Sequence, residues 1–145
     1  MAKVIMTIIT ILWMILIFLF SCSPAEESNK QSGEFIRNTI VKIVKVFKKD
    51  LDEEKFIERI GTPIRKCAHF AEFLVLGMLM YFTLKLYGVN NPWIVILACS
   101  LYAVTDEIHQ LFVKERTAKI IDVIIDTIGS GTGIAISMLI TKLLK

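Results

Sequence analysis

Between Val4 and Phe20 the chain runs through seventeen residues without a charge, and Thr7 and Thr10 are the only polar ones. A helix rising about 1.5 Å per residue needs roughly 17–25 such residues to cross the hydrocarbon core of a bilayer, so this run has the length of a membrane span. Further apolar stretches follow at about Cys67–Leu86, Trp93–Phe112 and Ile120–Ile140. The chain has 145 residues, 54% of them apolar, and a mean hydropathy of +0.62. One soluble core cannot bury that composition, whereas lipid can accommodate it. The pattern predicts an all-α fold in a single domain, 1–145. This is an integral membrane four-helix bundle with spans at 4–20, 67–86, 93–112 and 120–140 and a polar loop at 21–66.

The long loop turns polar at Ser21 and then shows Ile36, Ile40, Ile43, Phe47 and Leu51 at helical spacing. That stripe predicts an amphipathic helix. Arg37, Lys42, Lys45, Lys48 and Lys49 occupy its polar side, which suits a helix lying along lipid head groups between the first two spans. A helix packed on the bundle or on another protein fits the same pattern. Gly61-Thr62-Pro63 is expected to end this helix, because a proline restricts the residue before it. Asn90-Asn91-Pro92 marks the turn between the second and third spans. Gly129, Gly131 and Gly133 are small residues of the kind that let a neighbouring helix approach, and Trp13 and Trp93 are expected to anchor at the membrane interface.

The charge balance, +3, is too mild to point to nucleic acid. Basic residues beside apolar spans point instead to membrane lipids. The three cysteines, an odd number, carry no disulfide framework. Cys22 follows the first span in the context Leu19-Phe20-Ser21-Cys22. A lipoprotein cleavage site ends on such a cysteine but has a small residue where Phe20 stands, so an uncleaved anchor fits better than lipidation.

Parity then brings the ionisable residues together. With spans alternating in direction, His69 and Glu72 open the second, Asp106, Glu107, His109 and Gln110 close the third, and Asp122 and Asp126 open the fourth. All fall on the side opposite the termini, with Arg116 in the short connection beside them. His69 and Glu72 are three apart, Asp106 and His109 three, and Asp122 and Asp126 four, so each pair shares a helix face. An ionisable group within a span costs roughly 2.5–3.5 kcal/mol at its centre unless it meets a partner or a wet cavity. The sequence therefore predicts one shared site.

Three readings of that site remain open. In the first it is a satisfied polar network that fixes helix register. In the second it is an acid–base set acting on a lipid-linked or cell-wall substrate. There His69 or His109 would move the proton, Glu72 or Asp106 would orient the imidazole, and Arg116 would hold a phosphate or carboxylate. The third is a metal site drawn from His69, Glu72, Asp106 and His109, whose three-residue spacings are related to the Glu-x-x-His ligation of bundle proteins.

The segments RKCAHFAEFLVLG (Arg65 to Gly77), YAVTDEIHQLFV (Tyr102 to Val113), Arg116, DVIIDTIGSGTG (Asp122 to Gly133) and FSCSPAEESNKQSG (Phe20 to Gly33) resemble the VanZ-like family. The likeness covers nearly the whole chain. It implies a small multi-span membrane protein of the cell envelope, associated in some members with reduced susceptibility to teicoplanin-type glycopeptides, and it implies no particular reaction. The family pattern often has Pro-Gly just before the arginine, where this chain has Lys114-Glu115, so a different turn is expected there.

Two signals disagree about orientation. All seventeen Lys and Arg residues except Lys3, Lys85, Lys142 and Lys145 lie on the site side, which by the positive-inside rule is cytoplasmic. Lys3 ahead of the first apolar run instead looks like a signal anchor with its N-terminus inside. The anchor reading and the family's association with cell-surface antibiotics favour an external site with both termini cytoplasmic.

Overall fold

The computed structural model describes residues 1–144, leaving aside the side chain of Ala25. All its regular structure is helical: α1 (Ala2–Ser21), α2 (Ala25–Phe35), a π-helical stretch (Ile36–Val41), α3 (Lys42–Phe47), α4 (Glu53–Leu86), α5 (Pro92–Gln110) and α6 (Ile120–Leu143). Three of these helices, α1, α4 and α6, are long and apolar enough to cross a membrane.

α4 is the central element and packs against α6, α1 and α5. Its seam with α6 is set by glycine. A Cβ at Gly129 would lie 2.5 Å from the Phe70 carbonyl oxygen, while Cβ atoms at Gly133 and Gly77 would run into the backbone of Leu74 and Ser130. Gly129 and Gly133, four apart, thus share the face that touches α4, as small-xxx-small pairs do in membranes. Gly131, expected to help, faces open space. Around the seam, Ile17, Phe73, Leu76, Cys99 and Ala103 form the buried core.

Polar groups tie α1 into this core. The Thr10 and Thr83 hydroxyls lie 2.8 Å apart, and the Tyr102 hydroxyl donates to the Met14 carbonyl at 2.6 Å. Trp13, expected at the interface, instead donates its indole N–H to the Glu72 carbonyl at 3.0 Å. The apolar stretch around Trp13 continues on either side of it, so nothing in the run distinguished a tryptophan turned inward from one at the rim.

α4 does not begin after Gly61-Thr62-Pro63. The chain turns earlier, at 48–52, and Asp52 caps the new helix by accepting from the Lys55 N–H at 3.3 Å. Pro63 lies inside the helix and removes one backbone donor, a loss that helices tolerate where packing holds the two halves in line. At about 1.5 Å per residue the 34-residue helix exceeds a roughly 30 Å hydrocarbon core, so its N-terminal part projects beyond it.

The segment before it folds back on that projection. α2 forms where the sequence suggested only a polar opening, with Glu26 and Glu27 in its first turn favouring the helix. Gly33 abuts Ile57, Arg37 pairs with Glu54 at 2.5 Å, and Lys45 pairs with Glu53. The expected stripe is redistributed, because a π-helical stretch aligns residues five apart rather than four. Ile36 and Val41 are buried, whereas Ile43 and Phe47 are exposed and Leu51 lies past the helix end.

Candidate functional site

The polar residues collect at the end of the bundle where α1 and α5 finish and α6 starts. Asp106, on the inner face of α5, accepts from the Ser21 hydroxyl at 2.8 Å and from the Gln110 amide at 3.1 Å. Gln110 turns its carbonyl oxygen to Arg116, which donates to it at 3.2 Å and to the Ser23 carbonyl at 2.9 Å. Glu107 accepts the Lys119 backbone N–H at 2.5 Å, which fixes the start of α6. Lys66 of α4 pairs with Asp122 of α6 at 2.6 Å.

These contacts surround a cavity of about 120 Å³. His69, Glu107, Gln110, Arg116, Asp122 and Asp126 line it, together with Arg65, Lys66 and Lys119. Glu72 lies behind His69, its carboxylate 3.6 Å from the imidazole Nδ1. Asp106 is within electrostatic reach of His69, Glu72, Glu107 and Asp126 although it is not part of the wall. His109 faces elsewhere. Its ring stacks on Phe18, with centroids 4.2 Å apart, and its Nε2 lies 3.3 Å from the Cys22 sulfur.

Two electrostatic features stand out. Among the described residues neither Arg65 nor Arg116 pairs with a carboxylate; Arg65 donates to Asn29 at 2.6 Å, and Arg116 to the neutral acceptors above. Burial lowers the Arg116 guanidinium from its ordinary value, and Arg65 beside it acts in the same direction. Two guanidiniums thus border one cavity, each hydrogen-bonded to neutral acceptors. In addition, among the described residues four buried atoms from three helices have no hydrogen-bond partner: His69 Nδ1, Glu72 Oε2, Asp106 Oδ1 and Asp126 Oδ1. Buried polar atoms are normally paired, so each of these invites a ligand, a solvent molecule or a proton.

The metal reading finds less support. Among the described residues no three His, Cys, Asp or Glu side chains gather closely enough to hold an ion, and His109 is turned away from His69 and Glu72 toward α1.

The turn before Arg116 carries a strained residue. Glu115 adopts φ +62°, a left-handed conformation that favours glycine. Sequence reasoning also missed Ser21, Ser23, Asn29 and Lys66. The signal for Ser21 was available, since parity places the end of the first span on the site side. The contact between Asn29 and Arg65 depends on a fold-back that no local pattern announced.

No curated protein and no solved structure matched the chain. The family model described as VanZ/LLP1 matches residues 6–141, nearly its whole length. The chain belongs to the VanZ/LLP1 family.

Proposed function

We propose that this chain is a four-span protein of the cell envelope whose cavity receives the phosphate or carboxylate of a lipid-linked or cell-wall substrate. Through that ligand it alters susceptibility to teicoplanin-type glycopeptides. The observation that carries the proposal is the pair Arg65 and Arg116, two guanidiniums at one cavity that have only neutral partners. Guanidinium donors suit phosphate and carboxylate geometry, and burial strengthens the attraction.

α5 serves as the fourth span in this reading. Its exposed Ile94, Leu97, Leu101, Val104 and Ile108 recur every three or four residues, a stripe suited to lipid, while Asp106, Glu107 and Gln110 face inward. Exposed Phe35, Ile43, Val46 and Phe47, close in sequence to Arg37, Lys42, Lys45 and Lys48, support an interfacial position for α2 and α3. The site faces outward and both termini are cytoplasmic. His69, with Glu72 behind it, is the proton-handling candidate in the cavity, and Asp126 is the nearby buried carboxylate. A closed structural network is less well supported, because such a network would pair the four orphaned atoms.

Binding to polyprenyl phosphate and to the uncharged polyprenol, measured on purified protein in neutral-lipid nanodiscs, tests the reading. Preference for the phosphate by tenfold or more is expected, and equal affinity would contradict it. In intact cells a Ser28→Cys or Thr117→Cys variant should react with an impermeant maleimide; reaction only after permeabilisation would reverse the assigned side. Loss of the protein should shift teicoplanin susceptibility, and Arg116→Ala should reproduce that shift.

A further inference from the structure

Cys22 and His109 fall outside the cavity, yet they make a thiol–imidazole contact at the same end of the bundle. The sulfur lies 3.3 Å from Nε2, within reach for proton transfer, and the Phe18 ring stacked on the imidazole fixes its direction. Cys22 is exposed. The residues next to the pair in sequence, Leu19 and Phe20 on α1 and Ile108, Leu111 and Phe112 on and after α5, are exposed apolar side chains suited to acyl chains rather than to water. Arg116 is anchored to the carbonyl of Ser23, the residue after Cys22, and lies close enough to Cys22 to interact with it electrostatically. Nucleophile, base and cation are thus gathered beside a lipid-facing surface.

We propose that Cys22 is a base-activated nucleophile that accepts an acyl group from an ester-linked membrane phospholipid. His109 acts as the base, and Arg116 holds the phosphate of the donor. The proposal rests on the reading that this face binds anionic lipid-linked groups. In the first step the thiol proton passes to His109 Nε2 while the sulfur attacks the ester carbonyl carbon, forming a C–S bond. Collapse of the tetrahedral intermediate breaks the ester C–O bond, and the departing lysophospholipid alkoxide takes the proton back from His109. The products are S-acyl-Cys22 and a lysophospholipid, with no change of oxidation state. His109 Nε2, 3.3 Å from the sulfur, is the group placed to receive the proton, so the step depends on it.

Cys67 is a control within the chain: it is also exposed, and among the described residues no histidine hydrogen-bonds its sulfur. The test uses the full chain in vesicles of ester-linked phosphatidylglycerol, with neutral hydroxylamine as trap and acyl hydroxamate and lysolipid as products. Wild-type protein should form both, Cys22→Ala neither, and His109→Gln at least tenfold less, while Cys67→Ala should match the wild type. A lipophilic maleimide should label Cys22 at least tenfold faster than Cys67, an advantage lost in His109→Gln. Absence of product from wild-type protein, or full product from either the Cys22 or the His109 variant, would overturn the proposal, as would equal labelling rates. Ether-linked phosphatidylglycerol separates the two readings, because Cys22→Ala should still bind it; loss of that binding in the wild type would remove the anion site itself.

Discussion

The α4–α6 seam and the polar end of the bundle solve opposite problems with the same two helices. Along the seam, Gly77, Gly129 and Gly133 bring backbone against backbone, and any added carbon meets a carbonyl. At the polar end the same helices line a cavity of about 120 Å³, and among the described residues His69, Glu72 and Asp126 have buried atoms without a partner. In lipid, helix association depends on close packing rather than on the hydrophobic effect, so the seam is where stability is generated. Unpaired buried polar atoms reduce stability and persist where a ligand or a reaction uses them. The contrast indicates a rigid glycine-built scaffold that supports a polar site held open at some energetic cost.

Four substitutions can break or sharpen that contrast. The largest effect is expected at the seam, where Gly133→Leu forces a side chain into the Leu74 backbone. It should destabilise by about 3 kcal/mol or more, seen as loss of a cooperative melt in detergent. At the polar end the sign should reverse. Asp126→Leu removes a buried, partly unpaired carboxylate and should raise stability by about 1–2 kcal/mol while leaving polyprenyl phosphate bound at least as tightly, because a negative charge leaves the cavity wall. A lower melting temperature with binding intact would assign Asp126 to packing instead.

Smaller effects are expected in the connection and in the core. Glu115→Gly relieves a left-handed backbone and should stabilise by about 1 kcal/mol without altering ligand binding. A loss of stability would mean that the Glu115 side chain holds the turn. Thr10→Val deletes the hydroxyl contact with Thr83 inside the bundle and should cost only about 0.6 kcal/mol, the average for hydrogen bonds between membrane helices. A cost several times larger would move part of the scaffold's stability from the seam to the α1 contacts.

What the sequence made legible follows from range. Apolar runs and their lengths are local, so α1, α4 and α6 were readable as spans, and alternation of direction then gathered His69, Gln110, Asp122 and Asp126 at one end. The stretch 93–112 was read as a span as well, but Asp106, Glu107 and His109 dilute its apolar run, and α5 is not among the three helices long and apolar enough to cross. The turn of His109 toward Cys22 was not legible either, since its spacing from Asp106 permitted an inward ring; which way a side chain points from the edge of a helix is decided by its neighbours. Pro63 misled because its local preference is weaker than the packing that keeps α4 continuous. The π-helical stretch misled because the stripe Ile36, Ile40, Ile43 was read with the α-helical period, whereas Ile36 and Val41 share the buried face. The fold-back of α2 and α3 rests on long-range pairs such as Arg37 with Glu54, which no local pattern encodes.

The most direct measurement compares binding and stability in one variant, Arg65→Ala combined with Arg116→Ala. If the two guanidiniums form a ligand site on an independent scaffold, affinity for polyprenyl phosphate should fall about 100-fold, roughly 2.7 kcal/mol. The melting temperature should stay within a few degrees of the wild type. Unchanged affinity accompanied by a collapse of the melting temperature would contradict the account and make the polar end part of the structural framework.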